Sequence, residues 1–252
     1  MAEPEAQITV ENRDDHVAIV RFSRPPHNFF DGPMIGLIAD AYDRLDSDPG
    51  CRAIVLCSEG KNFCAGANFA GENPAEGNLY EQAVRLFAAR TPVVAAVQGA
   101  AIGGGLGVAL SADFRVACPG SRFSANFARL GIHHGFGLTV TLPLVVGHQR
   151  ALELLYAGAR IDGEAAQAMG LCDRLVPSER LLDEAIDLAR EIAISSPRAV
   201  RAIRATMRGD LAERVRQATA HELAEQIPLF DGPDFVEGVA AAAERREPRF
   251  AD

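Results

Sequence analysis

Only one lysine, Lys61, occurs in this chain of 252 residues, whose net charge is −9. That acidic balance argues against a nucleic-acid partner. An anionic ligand would have to be held by main-chain amides or a few arginines. No apolar run approaches the roughly 18 to 20 residues of a membrane span. The opening stretch MAEPEAQITVENRDD is acidic and carries no basic-then-apolar leader, so the cytoplasm is the expected location. The five cysteines (Cys51, Cys57, Cys64, Cys118, Cys172) are odd in number and form no CxxC pair. They fit small buried residues in a reducing compartment better than a disulfide framework or a zinc site. The GxSxG elbow of serine hydrolases and the HExxH metal spacing are both missing.

What is present describes an ordinary globular protein, 48% hydrophobic and 23% charged. ITVENRDDHVAIVRFS holds two β-branched segments around Asp14 and Asp15 and predicts a hairpin. PMIGLIADAYDRLDSD places Met34, Leu37, Ile38, Tyr42 and Leu45 at helical spacing. CRAIVLCSE is a short apolar strand expected to be buried on both faces. A glycine-rich loop, a helix (LYEQAVRLFAAR), a strand (PVVAAVQ), a glycine run with its helix and a further strand (FRVACP) follow. Alternation of this kind predicts an α/β fold with a largely parallel sheet. Beyond about residue 178 the pattern is helical only.

Two junctions carry chemistry. VQGAAIGGG ends a strand and opens a helix, leaving unpaired N–H groups at a positively polarised helix start. IVLCSEGKNFCAGANF offers the same kind of main-chain donors. Gly99, Gly103 and Gly105 also fit the GxxxGxG turn of short-chain dehydrogenases. That motif normally lies on the first strand, however, and its YxxxK partner would need Lys61, which has Cys57 four residues before it. Gly107 stands in the first turn of the predicted helix, where glycine costs about 1 kcal/mol relative to alanine.

NFCAGANF, PVVAAVQGAAIGGGLGVALSADFRVA, GARIDGEAAQAMGLCDRLVP and FDGPDFVEGVAAAAERREPRF together resemble the crotonase family, the enoyl-CoA hydratase/isomerase superfamily, from about residue 16 to residue 250. The resemblance implies a crotonase-like spiral of ββα units over residues 1–190. It further implies a helical C-terminal oligomerisation region over 191–252, in a homotrimer or a dimer of trimers. It implies an acyl-CoA thioester as partner, with no metal and no redox cofactor, coenzyme A entering as part of the substrate. The N–H groups of Ala67 and Gly104 would stabilise the thioester enolate, and Ala65, Ala67, Asn68, Phe69 and Ala70 would run along the coenzyme. Pro26 and His27 would form part of the coenzyme wall, and Arg245, Arg246 and Arg249 are candidates for phosphate contacts.

The two glutamates of the family's hydratases fall on Gly107 and Phe127. Without them, hydration by the family mechanism is not expected, and isomerase, hydrolase or lyase chemistry is. The alternative is a non-catalytic acyl-CoA-binding subunit. His134, at or next to a position where some branches place an aspartate, is the candidate base; Glu72, Glu76 and Glu81 fit surface charges better. The glycine at 107 would also leave room for a small anion such as bicarbonate, as the resemblance to naphthoate synthases suggests.

Overall fold

Asp14 and Asp15 turn the chain between β1 (Gln7–Asn12) and β2 (Val17–Ser23), which pair antiparallel from Gln7↔Ser23 to Asn12↔Ala18. The computed structural model describes residues 5–67 and 78–251. Next comes α1 (Gly32–Ser47), capped by Asp31, whose carboxylate accepts from Met34 N–H at 2.9 Å. Met34, Ile35, Ile38, Tyr42 and Leu45 face inward, whereas Leu37 of the predicted stripe is 42% exposed. Every residue of β3 (Ala53–Ser58) is buried, as its unbroken apolar run predicted. Then follow α2 (Leu79–Ala88), β4 (Val93–Val97), β5 (Ala100–Ile102), α3 (Gly104–Ser111), β6 (Phe114–Ala117) and β7 (Arg122–Ser124). The chain continues through α4 (Leu138–Val146), α5 (His148–Ala157), β8 (Arg160–Asp162), α6 (Gly163–Ala168) and β9 (Arg174–Leu175). It ends in α7 (Leu181–Ala193), α8 (Pro197–Arg208), α9 (Leu211–Phe230) and α10 (Pro233–Glu244).

The large sheet runs β1-β2-β3-β4-β6-β9, parallel throughout except at β1. A second sheet, β5-β7-β8, is made of three-residue strands, too short to show any period in the sequence. Successive strands divide between the two: β4 and β6 join the large sheet, while β5 and β7 join the small one. This is the turn-by-turn advance of a crotonase-like α/β spiral. Alternation along β3 serves two cores. Ile54 and Leu56 face α1 and α2, whereas Ala53, Val55 and Cys57 face α7 through Ala185, Leu188 and Ala189. Helix α7 therefore lies against the large sheet and runs through the expected boundary at 190/191.

Asp113 fastens α8 to the core. Its carboxylate accepts from Val93 N–H at 2.8 Å, Arg204 Nε at 3.0 Å and Arg208 Nη1 at 2.8 Å. Burial alone would raise its pKa, but the two guanidiniums outweigh that and hold it below the ordinary carboxylate value. The outer faces of the C-terminal helices carry exposed apolar side chains, among them Ile203, Met207 and Val236. All five cysteines are buried and free. Among the described residues no helix is long and apolar enough to cross a membrane.

Candidate active site

The two expected donors are brought together by main-chain pairing. Residues 63–67 run beside β5: Phe63 N–H donates to Gln98 O at 2.7 Å and Cys64 N–H to Ala100 O at 2.8 Å. Ile102 N–H returns to Cys64 O at 3.1 Å. Cys64 and Ala101 form a parallel bridge, and three residues beyond each stand Ala67 and Gly104. The segment before α1 braces the other edge, with Ala65 N–H donating to His27 O at 3.1 Å and Phe30 N–H to Gly66 O at 2.9 Å. Gly103, at φ +57°, caps α3 and gives its own N–H to Ser124 O. Gly104 N–H then opens the helix. Among the described residues neither it nor Ala67 N–H has an acceptor.

Both donors line a cavity of about 180 Å³. Its walls are largely apolar, built by Phe29, Phe30, Phe127, Phe136 and Phe230 together with small residues. Ala65 lines it as expected. Among the described residues no carboxylate, histidine, lysine or arginine does. The titratable side chain present is Tyr80, and its hydroxyl donates to Gln226 Oε1 at 2.7 Å. Burial pushes the phenol well above its ordinary pKa, so it stays protonated. Gln226 in turn donates to His133 O at 2.8 Å, tying α2 and α9 to the turn before α4.

That turn explains Gly107. A Cβ on Gly107 would lie 2.6 to 2.7 Å from Cβ, Cγ and Cδ1 of Phe136. The Phe136 ring packs edge-on against Phe30, with centroids 5.4 Å apart, and a Cβ on Gly104 would strike Phe30. Two phenyl rings thus lie on the bare first turn of α3. Phe136 holds φ +63°, a costly backbone state for a bulky residue, between Gly135 and Gly137. The sequence suggested room for a small anion at Gly107. There is none, because Phe136 fills it, and Gly107 does not line the cavity although Phe127 does.

His134 is also set apart from the cavity, its ring centroid 6.5 Å from that of Phe127 and its contacts directed elsewhere. Thr139 Oγ1 donates to Glu222 Oε1 at 2.6 Å, so at 2.8 Å it must accept from His134, which the network assigns as the Nε2–H tautomer. Glu222, fully buried on α9, also accepts from Gly137 N–H at 2.8 Å and Thr139 N–H at 2.9 Å. Burial raises its pKa, and those three donors oppose the rise. The sequence reading missed Glu222. Its signal was an acid continuing the stripe of Val215 and Ala218 on α9.

Pro26 and His27 do not line the cavity. His27 braces Ala65 through its carbonyl and meets Asn62 Nδ2 through Nδ1 at 3.1 Å. Asn68, Phe69, Ala70, Glu72 and Glu76 lie outside the described residues, and Glu81 sits exposed in the first turn of α2. Arg246 is committed to Glu237 and Glu244, and Arg249 N–H donates to Glu237 Oε1 at 2.6 Å.

Burial, followed by the neighbouring His133 and His221, pushes the His134 pKa down to about 4. Between the ordinary value of 6.5 and that figure the unfolded chain takes up a proton that the folded chain refuses. Stability is therefore expected to fall as pH drops through this window, by at most about 3 kcal/mol. Glu222 tilts the opposite way, since a raised acid pKa loses stability as pH rises. The comparison is thus urea unfolding of the parent against His134→Gln from pH 7 to 4. The parent should lose more stability than the variant, and parallel curves would discard the assignment.

A family model described as enoyl-CoA hydratase/isomerase matches residues 12–252. Probable enoyl-CoA hydratase EchA14 of Mycobacterium tuberculosis is 34% identical over 247 residues, covering 92% of this chain and 96% of that protein. Enoyl-CoA hydratase EchA19 of the same organism is 31% identical over 250 residues, with 94% of each chain covered. An enoyl-CoA hydratase/isomerase structure from Pseudoalteromonas atlantica T6c matches with a TM-score of 0.87 at 29% identity, covering 97% of this chain and 99% of that one. A crotonase-like spiral, two free main-chain donors on one cavity and a match over nearly the whole length agree. The chain belongs to the enoyl-CoA hydratase/isomerase family.

Proposed function

We propose that this protein binds an acyl-CoA thioester and stabilises its enolate, without the paired carboxylates that activate water in a hydratase. The observation that carries the reading is the cavity itself: two unpartnered N–H donors, Ala67 and Gly104, face a lining that offers no carboxylate among the described residues. A thioester oxygen that gains charge is best met by fixed donors in a dry site, where losing one costs about 3 to 4 kcal/mol in the transition state. Those donors are main-chain groups fixed by strand pairing, so they need no reorganisation when charge develops.

Water addition across an enoyl double bond needs a group to take the proton of water and another to protonate carbon. A positioned acid or base contributes a factor of about 10² to 10⁴. Phe127 and Gly107 supply neither, and Tyr80 is held protonated. Among isomerase, hydrolase and lyase steps, an isomerase still has to move a proton and a hydrolase to activate water, so a lyase step asks least of this lining. A lyase step in particular forms the enolate from a bond that breaks within the substrate, and the two N–H groups then hold the oxygen. The coenzyme enters as part of the substrate. The exposed apolar side chains of α8 and α10 favour self-association, in a homotrimer or a dimer of trimers.

A second reading, an acyl-CoA-binding subunit without catalysis, is favoured by the same lack of carboxylates in the lining. Incubation with saturated, 3-enoyl and aromatic CoA thioesters in deuterated water, followed by mass spectrometry, separates the two. Deuterium uptake at the α-carbon or turnover of the thioester is expected. Binding without uptake or turnover across the panel would replace the enzyme by the binding subunit.

A further inference from the structure

Most polar groups of the cavity are already committed. Tyr80 and Gln226 satisfy one another and the turn behind them. What is left is two main-chain donors, Ala67 N–H and Gly104 N–H, and the carboxamide of Asn126 with its acceptor oxygen. The acceptor is Oδ1 of Asn126, a residue that lines the cavity; the oxygen has no hydrogen-bond partner and is closed off even from water as it stands, and a turn about χ2, a soft torsion, opens it to the cavity. Its backbone is fixed: the Asn126 carbonyl accepts from Leu130 N–H at 3.2 Å, and a Cβ on Gly158 would lie 3.2 Å from Asn126 Cα. Its side chain lies against the oxyanion turn, because a Cβ on Gly103 would be 3.3 Å from Oδ1. A shielded acceptor that meets no donor carries an uncompensated desolvation cost, and folded proteins keep few of them.

We propose that Asn126 is a specificity-determining residue whose carboxamide oxygen accepts a hydrogen bond from a hydroxyl on the acyl group. The inference rests on the acyl-CoA reading above. Gly103 is the residue before Gly104, and bonded neighbours are about 3.8 Å apart. An acyl carbonyl hydrogen-bonded to Gly104 N–H at about 2.9 Å therefore brings its second and third carbons within reach of Oδ1. A hydroxyl on one of those carbons completes the cavity's hydrogen bonds. A saturated acyl chain leaves Oδ1 unpaired, and an ionised acid at the same place would set acceptor against acceptor. Selection of this kind, by leaving a polar group unpaired when the wrong ligand binds, discriminates more sharply than an apolar wall does.

The test is calorimetric titration of the full chain with butanoyl-CoA and 3-hydroxybutanoyl-CoA, repeated on Asn126→Leu and Asn126→Ala. The parent is expected to bind the hydroxylated thioester about tenfold more tightly. Both variants should bind the two thioesters alike, because the preference for the hydroxylated one goes with the amide. Equal affinity in the parent, a comparison that needs no variant, would overturn the proposal while leaving the acyl-CoA reading intact. Loss of both affinities together in the variants would assign Asn126 to holding a water or the turn, and would overturn it too. No binding of either thioester by the parent would remove the underlying reading and the proposal with it.

Discussion

Restoring glutamate at position 107 is expected to give no hydratase while Phe136 keeps its ring. The simplest probe is Gly107→Ala, whose new methyl lands 2.6 to 2.7 Å from Phe136 Cβ, Cγ and Cδ1. Those atoms lie close to the backbone and cannot swing aside as a side-chain tip would, and Gly137 next to them is pinned by Glu222. Alanine's helix preference returns about 1 kcal/mol. Overpacking costs about 1 to 3 kcal/mol, and contact this close to the backbone belongs at the upper end, so the overlap wins and a net loss of about 1 to 2 kcal/mol is expected. Phe136→Gly suits the positive φ and removes the ring, so the two substitutions should couple by about 1 kcal/mol or more in a double-mutant cycle. The activity arm follows. Gly107→Glu with Phe127→Glu should fold poorly and hydrate nothing, whereas adding Phe136→Gly should bring hydration at least about 10²-fold above the parent. Loss of the enoyl-thioester absorbance reads it out. A stable, hydrating pair with Phe136 intact would dismiss the ring as the obstacle.

Glu222→Ala is expected to cost about 2 to 4 kcal/mol, because it leaves one buried and two part-buried donors without an acceptor. Gly137 N–H loses its acceptor in the interior, while Thr139 N–H and Thr139 Oγ1 lose theirs at the rim of the turn. Glu222→Gln keeps one oxygen for three donors and should lose about 1 to 2 kcal/mol. The damage should not stop at stability, because the turn these bonds hold carries Gly135 and Phe136, both part of the cavity wall. Weaker binding of a CoA thioester in Glu222→Gln, at a temperature where the variant is still folded, would show that α9 shapes the site from behind. Denaturant curves for Glu222→Ala within about 1 kcal/mol of the parent would reduce the network to decoration.

The chain disclosed its large sheet more readily than its small one. β3 was legible because Ala53 to Cys57 form an unbroken apolar run, and α1 because its inward residues recur every three or four. β5, β7 and β8 were not, since three residues carry no period and owe their conformation to pairing with partners about 20 to 40 positions away. Within the site, the main-chain donors were legible through the motifs that hold them. The group standing over Gly107 was not, because Phe136 lies 29 positions further on and only tertiary packing brings the two together. The same distance problem hid the partner of His134. Nothing near residue 134 announces a carboxylate at 222, and a loop histidine reads identically whether it faces a substrate or a buried network.

One consequence follows from the way Cys64 pairs with Ala101. Each donor stands three residues past that bridge, so once Gly103, Gly104 and Gly105 leave room for the close approach, their separation is a matter of counting along two chains. Losing or gaining a single residue between 64 and 67 would misalign the pair more than most exchanges of amino acid there. If the proposed reading holds, the grip on an enolate is set by chain length between fixed points, while the choice of reaction falls to side chains such as those at 107, 126, 127 and 136.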